Sequence, residues 1–209
     1  MNDAYGPWAK LYNPLVEPWL RPLKLQIVGE CLKDRLHRVL DVGSGTGTLR
    51  SMLQRAGIQA VGIDLSPGML GIAAQDLVNS DPLIRGRGER LPFYSHSLDG
   101  VVLSLMLHEN PPLRRKAILE EALRVLGPEG ALFILDYHLP SQLRGKAAAK
   151  VALAIEWAVG GDHFRNYRLF MQEGALPGLL SSFPHLKIHW HPVFFGSLAL
   201  AKIRIAQSA

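Results

Sequence analysis

The stretch Val39-Leu-Asp-Val-Gly-Ser-Gly-Thr-Gly47 decides the fold, because an apolar strand runs into a glycine-rich turn and then into a helical pattern. Glycine has no Cβ, so such a turn bends tightly and lets the backbone approach a ligand closely. The dinucleotide fingerprint Gly-x-Gly-x-x-Gly would place its third glycine at position 48, where this chain has Thr48. The spacing therefore disfavours NAD as the ligand of this turn.

Two carboxylates near the turn indicate what it binds. Asp41 stands two residues before the first glycine, where it would repel a pyrophosphate but attract a cationic group such as an α-ammonium. Asp64 ends the next strand pattern, and a carboxylate there can accept hydrogen bonds from both hydroxyls of a ribose. Leu65 and Met69 would contact an adenine ring, with core packing as the alternative for Met69. This combination favours a nucleoside that carries an amino acid.

Around this stretch, apolar runs alternate with helical patterns, which predicts repeated βαβ units and a doubly wound α/β fold. The predicted strands are 39–42, 60–63, 101–105 and 131–136, and the predicted helices are 48–56, 67–78 and 111–126. We expect these four strands to form a mostly parallel sheet. A helical region over 141–181, broken at 160–161, precedes two strands at 186–194 and 197–205. These strands predict a C-terminal β-hairpin.

Composition agrees with one globular domain. The 209 residues are 48% hydrophobic and 20% charged, which suffices for a sizeable core. Cys31 is the single cysteine and no signal-peptide pattern precedes it, so we expect a cytoplasmic protein. No apolar run is long enough to predict a transmembrane helix. The net charge of +5 favours anionic partners, but the charges are spread along the chain, so nucleic acid is not favoured.

Four blocks in order resemble the class I S-adenosylmethionine-dependent methyltransferases, specifically the ubiquinone/menaquinone-biosynthesis type and its small-molecule relatives. They are the glycine stretch, residues 61–70, residues 89–93 with 98–102, and residues 124–136. The resemblance implies a Rossmann-like, mostly parallel seven-stranded sheet whose last strand is antiparallel. It also implies S-adenosyl-L-methionine as cofactor, S-adenosyl-L-homocysteine as product, and a small-molecule or lipid-like acceptor.

The resemblance also assigns the cofactor contacts. It implies that the turn at 43–47 faces the methionine part, that the second carboxylate binds ribose, and that the segment before Leu91 flanks adenine. We therefore expect cofactor contacts from Tyr12, Asp41, Gly43, Ser44, Gly45, Gly47, Asp64, Leu65, Met69, Gly88, Glu89 and Ser104. Arg87 stands where relatives usually carry an acidic residue, and it cannot accept the adenine amino hydrogen. We expect backbone groups near Gly88 to replace that residue, with Arg87 either stacked on the ring or turned to solvent.

The single domain, 1–209, divides into four expected parts. These are an N-terminal helical lid segment 1–36, a cofactor-binding core 37–136, a helical acceptor-site insertion 139–183 and the terminal hairpin 186–205. Tyr5, Trp8 and Tyr12 could close over the cofactor, and a hydrophobic anchor is the alternative for Trp8.

The insertion offers two features. One helix face would carry Lys146, Lys150, Leu153 and Trp157. This face could make a peripheral contact with anionic lipid, but alanine-rich spacing favours an ordinary packed helix. A second cluster that could close over the acceptor comprises His163, Arg165, Tyr167 and Arg168.

Acceptor-side residues are expected where the fourth and fifth strands end. Methyl transfer is an in-line displacement, so positioning supplies most of the acceleration and a base is needed only if the acceptor loses a proton. The strand ends nominate His108, as a base, and Tyr137, as a pocket residue, with Asp136 and His138 beside it. A structural role is the alternative for both residues. We predict no metal site.

Two other functions compete with small-molecule methylation. Asn110-Pro-Pro-Leu113 is similar to the motif with which nucleic-acid methyltransferases hold a flipped base. Leu113 lacks the aromatic ring that this motif needs, and Asn110 is better explained as the N-cap of a helix. The non-enzymatic alternative is a catalytically silent, cofactor-binding partner subunit. The sequence does not define the oligomeric state.

Overall fold

The computed structural model describes residues 9–75 and 82–206, with side chains from residue 17 onward in the first range. Its strands are β1 Arg38–Val42, β2 Gln59–Asp64, β3 Leu83–Arg85, β4 Leu98–Ser104, β5 Leu126–Tyr137, β6 Leu186–Val193 and β7 Leu198–Ile205. Its helices are α1 Ala9–Lys33, α2 Thr48–Arg55, α3 Pro67–Ala73, α4 Pro112–Val125, α5 Leu143–Val159, α6 Gly161–Gln172 and α7 Ala175–Ser181, and a 3₁₀ turn spans Phe194–Gly196. The expectations for Tyr5, Trp8 and the Tyr12 side chain lie outside the described residues.

One seven-stranded sheet has the order β3-β2-β1-β4-β5-β7-β6. Strands β1 to β5 pair in parallel, whereas β7 pairs antiparallel with both β5 and β6. The expected fold class, including the antiparallel terminal hairpin, is confirmed. The strand order reverses between β1 and β4, and ligands of such sheets bind at this reversal, beyond the carboxyl ends of the strands.

Apolar side chains cover both faces of the sheet. On β5, Ile134 belongs to the core cluster on one face, whereas Phe133 and Leu135 belong to the cluster on the other face. All three side chains are fully buried, and each burial stabilises the fold by about 1.5–3 kcal/mol. The central strands are therefore held from both sides, which fixes the strand ends where the site lies.

The N-terminal helix α1 packs on the sheet through one apolar face. Leu20, Leu23, Ile27 and Cys31 are buried there, in the same cluster as Leu53 of α2. Within the described ranges, no helix combines the length and apolar character needed to cross a membrane.

Several element boundaries differ from the sequence expectations. The short strand β3 was not predicted, because three residues give no periodic pattern, and α3 ends at Ala73 rather than 78. Strand β5 begins at Leu126, before the predicted turn, where a register shift opposite Leu98 absorbs the irregular residues. The expected N-cap was wrong: Pro111 occupies that position, and the Asn110 side chain donates to the Met106 carbonyl at 2.7 Å.

Helix α5 leaves most of its surface uncovered. Only Gly145 and Glu156 are buried, whereas Ile155 is 58% exposed and Trp157 is 69% exposed. The expectation of an ordinary packed helix is therefore wrong: the helix turns one acidic side chain inward and its apolar residues outward.

Candidate active site

The glycine turn joins β1 to α2 at the point where the strand order reverses. Gly43 and Gly47 have φ values of +70° and +75°, in the left-handed region that favours glycine. A Cβ at Gly47 would lie 2.9 Å from the Ala73 Cβ. The backbone amides of Gly43 and Ser44 donate to the Ile63 carbonyl at 2.8 and 3.1 Å, which ties the turn to β2.

Asp64, at the end of β2, is oriented by two backbone amides. Gly45 donates to its Oδ2 and Ser66 donates to its Oδ1, both at 2.8 Å. Asp64 also lines the crevice, and a carboxylate oxygen can accept more than one hydrogen bond. The carboxylate is thus held in a geometry that suits a vicinal diol.

Asp41 is buried beside the turn. Its Oδ1 atom has no hydrogen-bond partner among the described residues, and an unsatisfied buried acceptor costs about 1–3 kcal/mol. Burial raises the pKa of this carboxyl to about 7; nearby Asp64 adds to the shift, and the Lys24 ammonium opposes it. A small cavity of about 30 Å³ adjoins Asp41, Ser44 and the turn. The carboxylate lacks a donor that a cationic ligand group would supply.

A crevice of about 300 Å³ opens at the carboxyl ends of β1, β2 and β4, a volume at the lower end of the ligand-site range. It brings together most of the predicted cofactor residues: Gly43, Gly45, Asp64, Leu65, Met69, Gly88, Glu89 and Ser104. Ser44 and Asp41 line the adjoining small cavity instead, and Gly47 lines neither. Gly47 therefore shapes the turn on the side that packs against Ala73, away from both cavities.

Arg87 lies on the wall of the crevice and pairs with a neighbour. Its Nη1 is 3.3 Å from Glu89 Oε1, and Arg114 Nε approaches the same oxygen at 3.4 Å. A Cβ at Gly88 would lie 3.1 Å from Val42, so the backbone passes close to β1 here. The segment that is expected to flank adenine thus presents an ion-paired acid, Glu89, beside backbone groups.

A second, buried polar group lies where β4 and β5 end. His108 Nδ1 is 2.8 Å from Asp136 Oδ1, and His108 Nε2 is 3.5 Å from Glu156 Oε1. Tyr137 donates its hydroxyl hydrogen to the same Glu156 oxygen at 2.6 Å, and its ring meets the imidazole edge-on at 4.7 Å. His163 Nε2 contacts Glu156 Oε2. We call these five residues the acceptor-side cluster.

The charges of this cluster are set by the carboxylates around His108. Burial alone would lower the pKa of His108, but Asp136 and Glu156 raise it to about 10. Burial opposes ionisation of Glu156, yet hydrogen bonds from His108 and His163 hold its pKa below the usual range. Burial and then Glu156 raise the pKa of Tyr137. At neutral pH Glu156 is therefore ionised and accepts the hydrogen bonds of the cluster, and His108 carries a proton.

The polar residues predicted on α6 divide between two faces. His163 and Tyr167, one helical turn apart, face the acceptor-side cluster, and Tyr167 is buried. Arg165 and Arg168 are exposed on the other side, and Arg165 pairs with Asp162. Both arginines are exposed, so in this structure only His163 and Tyr167 of the four predicted residues lie beside the buried polar group.

Sequence reasoning missed Glu156 as a functional residue. The available signal was one acidic residue within an otherwise apolar stretch. Such a residue can be buried with the stretch, and a buried carboxylate needs hydrogen-bond partners. It also missed Arg115, which is 1% exposed, pairs with Glu173 at 2.7 Å and lies 4.8 Å from the Phe170 ring. Arg115 fastens α4 to α6 and so holds His163 near the crevice.

Comparisons with known proteins agree with this geometry. Residues 40–134 match the family model described as a methyltransferase domain. An uncharacterized methyltransferase of Synechocystis is 36% identical over 104 residues, which are 50% of this chain and 49% of that protein. Demethylmenaquinone methyltransferase of Renibacterium salmoninarum is 38% identical over 105 residues, 50% of this chain and 43% of that protein. The matched segment thus spans less than half of these curated relatives.

Solved structures share the fold over nearly the whole chain. An O-methyltransferase family protein from Burkholderia thailandensis superposes with a TM-score of 0.73 at 17% identity, over 96% of this chain and 60% of that one. DhpI in complex with SAH superposes with a TM-score of 0.66 at 15% identity, over 98% and 94% of the two chains.

The sheet order and the crevice at its carboxyl edge belong to the fold shared with these solved structures, one of which is an O-methyltransferase family protein. The methyltransferase-domain model matches residues 40–134, slightly less than half of the chain. The resemblance inferred from the sequence is confirmed.

Proposed function

We propose that this protein transfers a methyl group from S-adenosyl-L-methionine to a small-molecule or lipid-like acceptor. The observation that carries the proposal is the buried Asp41, whose Oδ1 lacks a donor beside a glycine turn and a diol-oriented carboxylate. An α-ammonium would supply that donor, and Asp64 would accept from the ribose hydroxyls. A dinucleotide would instead bring a pyrophosphate against Asp41.

The remaining predicted cofactor residues fit the same orientation. The amides and small side chains of 43–45 would hold the methionine part, with Ser104 opposite them. Leu65 and Met69 would contact one side of adenine, and backbone groups at Gly88 the edge of the ring. Bound S-adenosylmethionine supplies a methyl group on a sulfonium, and transfer leaves a neutral thioether.

The acceptor-side cluster would bind and deprotonate the acceptor. The Glu156 carboxylate would accept a hydrogen bond from an acceptor O–H, N–H or S–H group and take its proton while the acceptor attacks the methyl carbon. The C–S bond pair then remains on sulfur. Tyr137 and His108 would hold Glu156 in place through the contacts at 2.6 and 3.5 Å, rather than act as the base themselves.

The names of some relatives support a lipid-like acceptor. Several are demethylmenaquinone methyltransferases, from Renibacterium, Clavibacter and Paenarthrobacter. In this chain, the Tyr137 ring of the cluster lies 4.9 Å from the Tyr167 ring, and the Phe164 ring stacks beside Tyr167. Such an aromatic wall suits a flat, apolar acceptor.

Helix α5 supports a contact with an anionic membrane surface, which would deliver such an acceptor. Its exposed charges, Arg144, Lys146 and Lys150, are all basic, whereas its only acidic residue is buried. Trp157 and Ile155 project from the same helix. Basic residues combined with exposed aromatic and aliphatic side chains are typical of interfacial helices. Cys31, a buried free thiol, supports a cytoplasmic location.

Binding and turnover test the proposal separately. S-adenosylhomocysteine should raise the melting temperature of the protein, and NAD should not. Transfer of labelled methyl groups to a lipid extract would then show turnover, whereas binding without transfer would favour the silent partner subunit. Salt-sensitive binding and methylation of RNA or DNA would favour the nucleic-acid alternative.

A further inference from the structure

Three metal-ligating side chains converge beside Glu156. His108, Glu109 and His163 each offer one ligand atom, and these three atoms lie within 4.8 Å of one another. We propose that these residues bind a divalent transition-metal ion, with Zn²⁺ as the best match, between the acceptor-side cluster and the crevice.

The ligand types select the class of ion. Two imidazoles with one carboxylate suit Zn²⁺ and its transition-metal neighbours, whereas Mg²⁺ and Ca²⁺ prefer oxygen ligands throughout. Three protein ligands also leave a coordination position open, which distinguishes catalytic zinc sites from closed structural ones. The side chains therefore form a site that can bind an exogenous atom.

The surroundings of His108 match those of a metal ligand. Asp136 Oδ1 lies 2.8 Å from His108 Nδ1, which leaves Nε2 as the ligating atom, and a bound ion would displace the proton that Nε2 carries in the metal-free protein. Asp136 is itself fixed, since the backbone amides of Leu107 and Tyr137 donate to it at 3.0 and 2.8 Å. A carboxylate behind a ligating histidine is the usual arrangement of outer-shell support.

The open position would face the acceptor, because Glu109 also lines the crevice. This part of the inference rests on the proposed function. An acceptor O–H or S–H group bound to the ion would lose its proton to Glu156, whose carboxylate the ion would displace from the two imidazole nitrogens. The resulting anion would attack the methyl carbon, the C–S bond pair would go to sulfur, and the ion would keep its oxidation state.

The ligands escape sequence analysis because no metal motif spans them. His108 and Glu109 follow β4, whereas His163 lies on α6 in the insertion. The ion pair of Arg115 with Glu173 and the bond of the Asn166 side chain to the Glu109 carbonyl at 2.7 Å bring these segments together.

Zn²⁺ titration of the chelator-stripped 209-residue chain tests the inference. We expect one equivalent of Zn²⁺ to bind in competition with a chromophoric chelator at mildly alkaline pH, and Mg²⁺ not to compete. Loss of an outer-shell partner already weakens metal binding 10–100-fold, so His163→Ala should raise the Zn²⁺ Kd at least ~100-fold. Co²⁺ should give visible absorption bands that this variant lacks. His185→Ala, an exposed histidine outside the cluster, should bind Zn²⁺ normally.

The outcomes are distinguishable. Glu109→Gln provides a second variant, since it removes a ligand charge without changing size. The site is supported if the parent protein binds one equivalent of Zn²⁺ and both ligand variants lose this binding. The melting temperatures of the two variants should stay near that of the parent. Binding that is absent from the parent, or unchanged in both variants, overturns it. The rise in melting temperature with S-adenosylhomocysteine is measured on the same stripped protein. Loss of Zn²⁺ binding with this rise intact contradicts only the metal site, and Zn²⁺ binding without this rise contradicts only the cofactor proposal.

Discussion

The Tyr137 hydroxyl donates to Glu156 Oε1 at 2.6 Å, which ties the last residue of β5 to the buried face of α5. The sheet that carries the crevice is thereby joined to the helical insertion through one buried carboxylate.

Replacing Glu156 by Gln should lower kcat for methyl transfer about 10²–10⁴-fold, because the amide cannot take the acceptor proton. The Kd for S-adenosylhomocysteine should change little, since Glu156 lies outside the crevice lining. Steady-state kinetics and calorimetry separate the two effects. Glu120 is exposed and pairs with Lys116, so Glu120→Gln is the matched control and should keep parental kinetics. Unchanged kcat in Glu156→Gln would refute the base assignment.

Replacing Asp64 by Ala should weaken S-adenosylhomocysteine binding about 10–100-fold. Hydrogen bonds to a charged group contribute about 1.5–3 kcal/mol, and the ribose hydroxyls would lose them. Isothermal titration calorimetry measures the change. Asp162→Asn, exposed on α6, should leave the Kd at the parental value. Equal affinities of Asp64→Ala and parent would mean that the ribose is held elsewhere.

Cofactor affinity should depend on pH through Asp41, whose pKa in the free protein is about 7. An α-ammonium requires the ionised carboxylate, so the Kd should rise about tenfold for each pH unit below 7. Proton release on binding, measured in buffers of different ionisation enthalpy, checks this prediction. Asp41→Asn should bind more weakly at neutral pH and lose the pH dependence; a parental pH profile in this variant would exclude Asp41 as its source.

The same carboxyl should also affect the stability of the free protein. Its folded pKa lies above the usual value of 3.8, so the native state binds more protons than the unfolded state between about pH 4 and 7. The free energy of unfolding should therefore fall as pH rises through this interval. Denaturant titrations of the parent and Asp41→Asn should diverge most at pH 7 and above, with the variant more stable. Parallel stability curves would disprove the linkage.

Replacing Gly47 by Ala should destabilise the fold by about 1–3 kcal/mol or more, because it combines a left-handed backbone with a 2.9 Å approach to Ala73. Gly57→Ala isolates the backbone contribution, since Gly57 has a φ of +82° and no atom near its missing Cβ. Chemical denaturation should show the larger loss for Gly47→Ala. The reverse order would contradict the steric argument.

Charge reversal on α5 should abolish binding to anionic vesicles. The double variant Lys146→Glu and Lys150→Glu removes the electrostatic attraction, and Trp157→Ser removes an exposed apolar anchor. Co-sedimentation with vesicles that contain acidic lipid measures the effect. Lys187→Glu, exposed on β6, should bind as the parent does. Vesicle binding that both α5 variants retain would argue against this surface.

The sequence predicts the fold around the crevice well, because this part of the molecule follows a local pattern. Asp41 and the glycine turn lie within one strand–turn–helix unit, and Asp64 ends the adjacent strand, so the βαβ pattern alone brings them together. The parallel pairing and terminal hairpin follow from periodicity. Strand β3 does not, since its three residues form a strand only because β2 pairs with them.

The acceptor half could not be predicted in the same way, since it depends on long-range contacts. His108 and Tyr137 were identifiable as strand-end residues, but the partner that joins them, Glu156, comes from a helix packed against them later in the chain. The outward-facing surface of α5 was also missed, because alanine-rich spacing describes a helix without specifying what lies against it.

The proposed assignment of cofactor residues to one part of the chain and acceptor residues to another has a consequence for how the acceptor could change. The residues assigned to the cofactor belong to the first half of the chain, whereas Glu156 and His163 belong to the insertion that follows β5. Exchange of that one contiguous segment could thus redirect the chemistry toward another acceptor and leave the donor site intact. Any replacement segment would have to supply partners for Arg115 and for the Tyr137 hydroxyl, in place of Glu173 and Glu156.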